Sequence, residues 1–428
     1  MEKLIIKIPS RNNNLGLFLI LILIAISQFT IELNFMLLVI VSFYFFLKHI
    51  KFYNRIINIL FPLILIFLLA IVGSVFRFPS IVDFIKDCVH LTTPIFAIIF
   101  GYYFIKSTDH SNKNTIIKWL MLYCFLVSVI HIVKVYLNLD DDWNTAGIRE
   151  IGGKGSPEEA FIYSLFLVFY RKRKFRIFSK MFTNLFIVVV TLSILFYFSR
   201  TTMIAIVLFL ISFNRVTQVT KKQVIYFIGI LFFILGFIVS LQFMDIKRDS
   251  KGVESFLYKL KIAPQEIFNA DIDINDHTQL WDKWRAYEVK KAVETMAEED
   301  SYIPFFIGMG AGSLVDLDFV APLNREGMQY IPHIHNGYGY IFFKTGSTGV
   351  VILLLWIFYM YTYIYKKPLN AEQNIYYVSV SGIGLYLLFS TLVINGIYNF
   401  RPIMPVILGM MLAMTSSFSM ESKMKRVE

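Results

Sequence analysis

Cysteine is almost missing from this chain: Cys88 and Cys124 are the two in 428 residues, which excludes a disulfide-stapled secreted scaffold. Both fall inside apolar runs, so two buried free thiols are expected. Charge is scarce too. Asp, Glu, Lys and Arg supply 17% of the residues against 57% hydrophobic and 17% aromatic, and a mean hydropathy of +0.62 exceeds what a soluble domain of this size tolerates. The ten-residue alternation of an outer-membrane barrel is lacking as well. There is no H-x-x-x-H pair. Gly152-Gly153-Lys154-Gly155-Ser156 lacks the first glycine of a phosphate-binding loop and has Gly155 where that loop needs Ser or Thr.

What the chain has in quantity is apolar sequence in runs near the ~20 residues that cross a bilayer as helix. Twelve spans are predicted, at 15–31, 33–47, 56–76, 88–105, 115–137, 157–170, 180–199, 201–213, 224–243, 337–365, 375–395 and 402–418. The expected fold is all-α and polytopic, with about twelve transmembrane helices: an N-terminal bundle of about nine over 1–243, a large external loop over 244–336 and about three more over 337–428. With both termini cytoplasmic, the inside segments carry 22 Lys and Arg, Arg171-Lys172-Arg173-Lys174 foremost. The short outside segments carry six: Arg77, Lys86, Arg149, Lys154, Arg200 and Arg401. That asymmetry obeys the positive-inside rule and accounts for the net charge of +11 without a nucleic-acid partner. Lys3, Lys7 and Arg11 before an apolar run imitate a signal peptide, but no small-residue cleavage site follows, so an uncleaved first helix is expected.

Two external loops interrupt the pattern. The smaller contains Asp140-Asp141-Asp142-Trp143 and ends in Ser156-Pro157-Glu158-Glu159, which reads as a helix start with Ser as N-cap, Pro at the first position and Glu closing a capping box. The larger, 244–336, carries 16 Asp and Glu against 10 Lys and Arg and is expected to form an acidic helical cap. Within it, 276–299 predicts an amphipathic helix with Leu280, Trp284 and Tyr287 on one stripe and Val289, Val293 and Met296 on the next. Trp281 and Trp284 suit interfacial anchoring or stacking on sugar. The glycines of Phe305-Phe306-Ile307-Gly308-Met309-Gly310-Ala311-Gly312 permit a tight turn near the membrane.

Chemistry concentrates in Pro332-His333-Ile334-His335-Asn336-Gly337-Tyr338, where this loop runs into a span. Two residues apart in an extended segment, His333 and His335 would project to one side, as at some zinc sites. A metal needs more ligands, and His277 is distant with no cysteine alongside. The open alternatives are an interfacial histidine capping the helix that begins near Asn336, or a neutral imidazole acting as general base on a hydroxyl. Arg200 in Phe198-Ser199-Arg200-Thr201-Thr202 and Arg401 in Asn399-Phe400-Arg401-Pro402 interrupt apolar sequence at the external face, and Arg285 stands in the loop above. Snorkelling explains Arg200 equally well. Three converging guanidiniums would suit a lipid-linked diphosphate, whose oxygens they bind bidentately.

In order and context, Ser199-Arg200-Thr201-Thr202, Trp284-Arg285-Ala286-Tyr287-Glu288, Gly308-Met309-Gly310 and His333-Ile334-His335-Asn336 running into Lys344-Thr345-Gly346-Ser347-Thr348-Gly349 resemble the O-antigen ligase and Wzy-type polymerase superfamily of bacterial membrane glycosyltransferases. The resemblance covers roughly 150–410 and implies a GT-C-like fold in the inner membrane with its active site facing the periplasm. It implies metal-independent transfer of a glycan, without cofactor, from undecaprenyl diphosphate to an acceptor hydroxyl. The acceptor would be another lipid-linked repeat for a polymerase or the lipid A core for a ligase, and a chain-length regulator is a further implied partner. Polymerase is the expected reading, since nothing singles out a core-binding feature. Carried over, the catalytic histidine falls on His335 and the diphosphate-binding arginines on Arg200 and Arg285; Arg401 is added from its position, with His333 and Asn336 in support. Where many members carry an acid before the glycine after the His-Asn segment, this chain has Lys344-Thr345-Gly346. Outside the family, a lipid-linked oligosaccharide flippase or secondary transporter shares the span count, but no mirrored halves are visible and the polar clusters lie outside the membrane. A metal-dependent oligosaccharyltransferase would draw on Asp140 to Asp142 or on Asp271 and Asp273.

Overall fold

The structure is a computed structural model that describes residues 12–48, 51, 53–75, 77, 79–108, 113–138, 148, 151–153, 155–171, 178–246, 253–268, 277–323 and 327–424. The acidic runs 140–142 and 271–273, the basic residues 172–174, Arg149, Lys154, and Lys3, Lys7 and Arg11 lie outside the described residues.

Each predicted span coincides with a helix. Before the large loop come α1 (Asn12–Gln28), α2 (Ile31–Lys48), α3 (Asn54–Val75), α4 (Ile81–Ser107), α5 (Lys113–Asn138), α6 (Pro157–Arg171), α7 (Lys180–Phe196), α8 (Arg200–Phe213) and α9 (Lys221–Gln242). The loop itself holds α10 (Val253–Phe268), α11 (His277–Asp282), α12 (Trp284–Ala297), the short α13 (Ile303–Ile307) and two strands, β1 (Val315–Ala321) and β2 (Met328–Ile331). After it come α14 (Gly337–Tyr361), α15 (Ala371–Val393) and α16 (Ile403–Met424). Among the described residues six helices, α2 to α5, α14 and α15, are long and apolar enough to cross a membrane, and α1, α7, α8 and α16 are shorter apolar helices. Large side chains such as Ile40, Phe43, Leu68, Leu355 and Phe358 face outward from them, a shell that only lipid can cover at this extent. The protein is a multi-pass membrane protein.

The interior is built by close helix contacts and backbone-satisfying side chains. Helices α4 and α16 approach through glycine: a Cβ on Gly101 would lie 2.0 Å from the Val406 carbonyl oxygen, and one on Gly409 would lie 2.2 Å from that of Ile98. Trp356 Nε1 donates to the Ile59 carbonyl at 2.8 Å and ties α14 to α3. Cys88 on α4 and Cys124 on α5 are both free; Cys124 is buried as expected, whereas Cys88 is only partly so.

The large loop departs from the expected helical cap in two ways. The single helix over 276–299 is interrupted at Lys283, giving α11 and α12. Leu280, Trp284 and Tyr287 are buried as predicted, but on the second stripe Val293 is exposed while Ala292 and Met296 are buried. Its last third is an antiparallel hairpin in which Val315 pairs with Ile331 and Ala321 with Met328. Val315, Leu317 and Ala321 turn inward, and Tyr287 Oη donates to the Leu317 carbonyl at 2.6 Å, so the hairpin buttresses α12.

Candidate active site

Three chain segments meet where the large loop joins the bundle. The first is the turn into α8. Ser199 caps that helix, its Oγ accepting from Thr202 N at 3.4 Å, so Arg200 occupies the first helical position. The turn is pinned from below by Glu159, whose Oε1 accepts from Tyr197 Oη at 2.7 Å and whose Oε2 accepts from Ser128 and Ser193, both at 2.9 Å. The His131 ring stacks on Tyr197 at 3.8 Å and 8°. Glu159 therefore does not close the capping box expected of it; Ser156 caps α6 alone, accepting from Glu159 N at 3.3 Å. Three hydroxyls on α5 and around α7 offer that carboxylate better satisfaction than one backbone N–H.

The second segment is α12, which carries Arg285 and Glu288 three residues apart and so on one face. The third is the approach to α14. Asn336 caps that helix, its Oδ1 accepting from Gly339 N at 3.1 Å. His335, just before it, donates its backbone N–H to Glu288 Oε2 at 2.7 Å and brings Nδ1 within 2.9 and 3.0 Å of the two carboxylate oxygens. A carboxylate only accepts, so Nδ1 carries the proton and Nε2 is left with its lone pair free. Glu288 is buried while half of the His335 side chain is exposed. The ring is anchored on its inner edge and open on its outer one.

The two arginines proposed from sequence meet on one group. Arg200 Nη2 lies 2.9 and 3.0 Å from the two oxygens of Glu266, a residue of α10, and Arg285 Nη1 lies 3.0 Å from Glu266 Oε2. Arg200 Nη1 also donates to the Lys259 carbonyl. Arg285 and Glu288 are a single helical turn apart, so one face of α12 carries both a member of the cationic pair and the carboxylate that anchors the imidazole. Arg401 is exposed at the start of α16 and makes no contact with Glu266; its charge acts on Glu158 at the beginning of α6. It does not join the pair.

His333 goes elsewhere. Strand β2 ends at Ile331, and the two rings that the sequence would set side by side have different neighbours: His335 meets Glu288 and His333 meets His90. His333 packs on His90 at 4.4 Å between ring centres, with Tyr340 and Phe400 around it. Burial first, then the Lys344 and Lys86 ammoniums, push its pKa down to about 3. Beside it Asp87 accepts from Lys344 Nζ at 2.5 Å, from Gly312 N at 2.6 Å and from Tyr340 Oη at 3.4 Å. Lys344 Nζ also donates to the Ser313 carbonyl at 2.5 Å. The residue that departs from the family pattern thus forms a buried ion pair joining α14 to α4.

The glycine turn belongs to this packing. Gly346 breaks α14 with φ 67° and ψ −170°, and above the break the Phe343 and Lys344 carbonyls accept from Met309 N at 2.7 Å and Gly310 N at 3.1 Å. A Cβ on Gly308, at φ 82°, would lie 2.2 Å from Thr345 N. Among the described residues no group of three His, Cys, Asp or Glu is placed to hold a metal ion.

Sequence reasoning missed Glu288 and Glu266. The first lies in the quoted Trp284-to-Glu288 run at helical spacing from Arg285, which is a signal for a shared face though not for a histidine partner. The second has no local signal. No curated protein matches the chain. Residues 185–354, a stretch that holds Arg200, Glu266, Arg285, Glu288 and His335, match the family model described as O-antigen ligase, which supports the resemblance to the superfamily of O-antigen ligases and Wzy-type polymerases.

Proposed function

We propose that the protein transfers a glycan from an undecaprenyl diphosphate donor to a sugar hydroxyl at the periplasmic side of the cytoplasmic membrane, with a GT-C-like helical scaffold and no metal ion. The observation that carries this reading is the Glu288-anchored imidazole of His335 one helical turn from the arginine pair. The acceptor oxygen attacks the anomeric carbon from the face opposite the diphosphate. As the new C–O bond forms, the bond to the diphosphate oxygen breaks and its electron pair stays with the leaving group. The acceptor proton passes to His335 Nε2. Glu288 stabilises the resulting imidazolium and holds the ring in the tautomer that accepts. Arg200 and Arg285 face the phosphate oxygens on which charge accumulates, which lowers the barrier more than it stabilises the bound donor. A diphosphate leaves without protonation, so no second carboxylic acid is required, and one displacement inverts the anomeric centre.

The acceptor read here is a second lipid-linked repeat, making the activity polymerisation. Transfer to the lipid A core is the second reading, favoured by the description of the matching family. Purified protein given labelled lipid-linked donor tests the reaction itself. Lengthened or transferred glycan in the presence of EDTA supports it, and movement of the donor across a bilayer without bond cleavage replaces it with a transporter. A gel of surface polysaccharide after gene deletion separates the acceptors. A single capped repeat marks a polymerase and a bare core marks a ligase.

A further inference from the structure

Glu266 has no step in the transfer just described, yet among the described residues it is the acid that both guanidiniums contact: both oxygens on Arg200 and one on Arg285. It is carried by α10, where Ile262 is buried and hydrogen bonds join the helix to its surroundings: Gln242 Nε2 to the Lys261 carbonyl at 2.9 Å, Lys261 Nζ to the Met244 carbonyl at 2.8 Å, Tyr258 Oη to Asp282 Oδ2 at 3.1 Å, and Arg200 Nη1 to the Lys259 carbonyl. Glu266 lies in the large loop and not in the long helices, so its carboxylate can leave the guanidiniums without opening the core.

A planar carboxylate chelating guanidinium uses the same donors that a phosphoryl group would use, so the two cannot occupy the pair together. A lipid-linked diphosphate brings two negative charges where Glu266 brings one, and it can take the place of the carboxylate. After transfer the problem reverses. The leaving lipid diphosphate has gained a terminal charge and binds the arginines more tightly than the donor did, which would stall turnover. We infer that Glu266 is a tethered competitor for the diphosphate site, displaced when the donor binds and returning to expel the spent lipid diphosphate. Its tether gives it a high effective concentration at the pair without a second molecule. The inference rests on Arg200 and Arg285 being the diphosphate cradle.

Farnesyl diphosphate binding to the purified full chain in nanodiscs tests it, with wild type compared with Glu266→Gln, Glu266→Asp and the double variant Arg200→Ala/Arg285→Ala. Glu266→Gln is expected to bind about tenfold tighter, the order set by losing one charge-assisted pairing. Glu266→Asp keeps the charge and stays near wild type. With donor, Glu266→Gln lowers KM and lowers kcat together, showing a burst of product before a slower steady state, as slow release demands. Equal or weaker binding by Glu266→Gln, while the double arginine variant loses binding, overturns the competitor role alone. Equal binding by wild type and the double arginine variant removes the cradle, and with it both this inference and the proposed reaction.

Discussion

His333 and His335 are separated by one residue and live in different solvents. His335 is half exposed, anchored through Nδ1 to the Glu288 carboxylate and open at Nε2; His333 is enclosed by His90, Tyr340 and Phe400 and held neutral by burial. Around the first, the charged groups come from loop helices α10 and α12 and from the tip of α8. Around the second, Asp87 and Lys344 come from the long helices α4 and α14 and are completely buried. Proximity in sequence says little about role here. Burial, and whether a carboxylate accepts from Nδ1, decide whether each ring can exchange a proton with a substrate or only fill space.

If the buried side is structural, breaking it should unfold the protein. Lys344→Ala or Asp87→Ala strands one charge without its partner, at a cost of about 3–5 kcal/mol, and thermal unfolding in detergent should fall sharply. The paired change Asp87→Leu with Lys344→Met should recover most of the loss; no recovery would mean that the pair does more than join two helices. On the exposed side the expected damage is to rate. Glu288→Ala should lower kcat on the order of 10²-fold with folded protein retained, because the ring loses its orientation and tautomer control. Glu288→Gln should lose less, since its amide oxygen still accepts from Nδ1. Arg285→Lys gives up planar recognition but keeps the charge, and a rise in donor KM of about tenfold is expected from initial rates.

The smallest effect is on pH. The folded pKa of His333 lies near 3, below its ordinary value near 6.5, so between those limits the unfolded chain binds the extra proton. Stability from this group is therefore full above about pH 6.5 and declines as pH falls, by up to about 1.4 kcal/mol per unit. His333→Phe should flatten the decline in melting temperature between pH 6.5 and 5, and an unchanged slope would place the titration on other groups.

The helices were readable from sequence because an apolar run long enough to span a bilayer is a local property, and every predicted span met a helix. The helix start at Ser156 was readable for the same reason, and so was a helix beginning near Asn336, although Asn336 and not a histidine caps it. The hairpin left a weaker trace: Val315, Leu317, Phe319 and Ala321 alternate with Asp316, Asp318 and Val320, a period-2 pattern in a segment too short to outweigh its helical surroundings. Candidate site residues were singled out where a side chain is costly in its local setting, as Arg200 is at a predicted span boundary. Their partners were not, because Glu266 meets Arg200 across 66 positions and Glu288 meets His335 across 47, and tertiary packing alone brings them together.

The central claim is that one of the two neighbouring imidazoles is the base. The rate of a single turnover of labelled lipid-linked donor by His335→Ala, set against His333→Phe and wild type at equal amounts of folded protein, tests it most directly. A fall of 10²-fold or more for His335→Ala, on the order expected for a lost general base, with His333→Phe within a few-fold of wild type, is the predicted result. A wild-type rate from His335→Ala would contradict it.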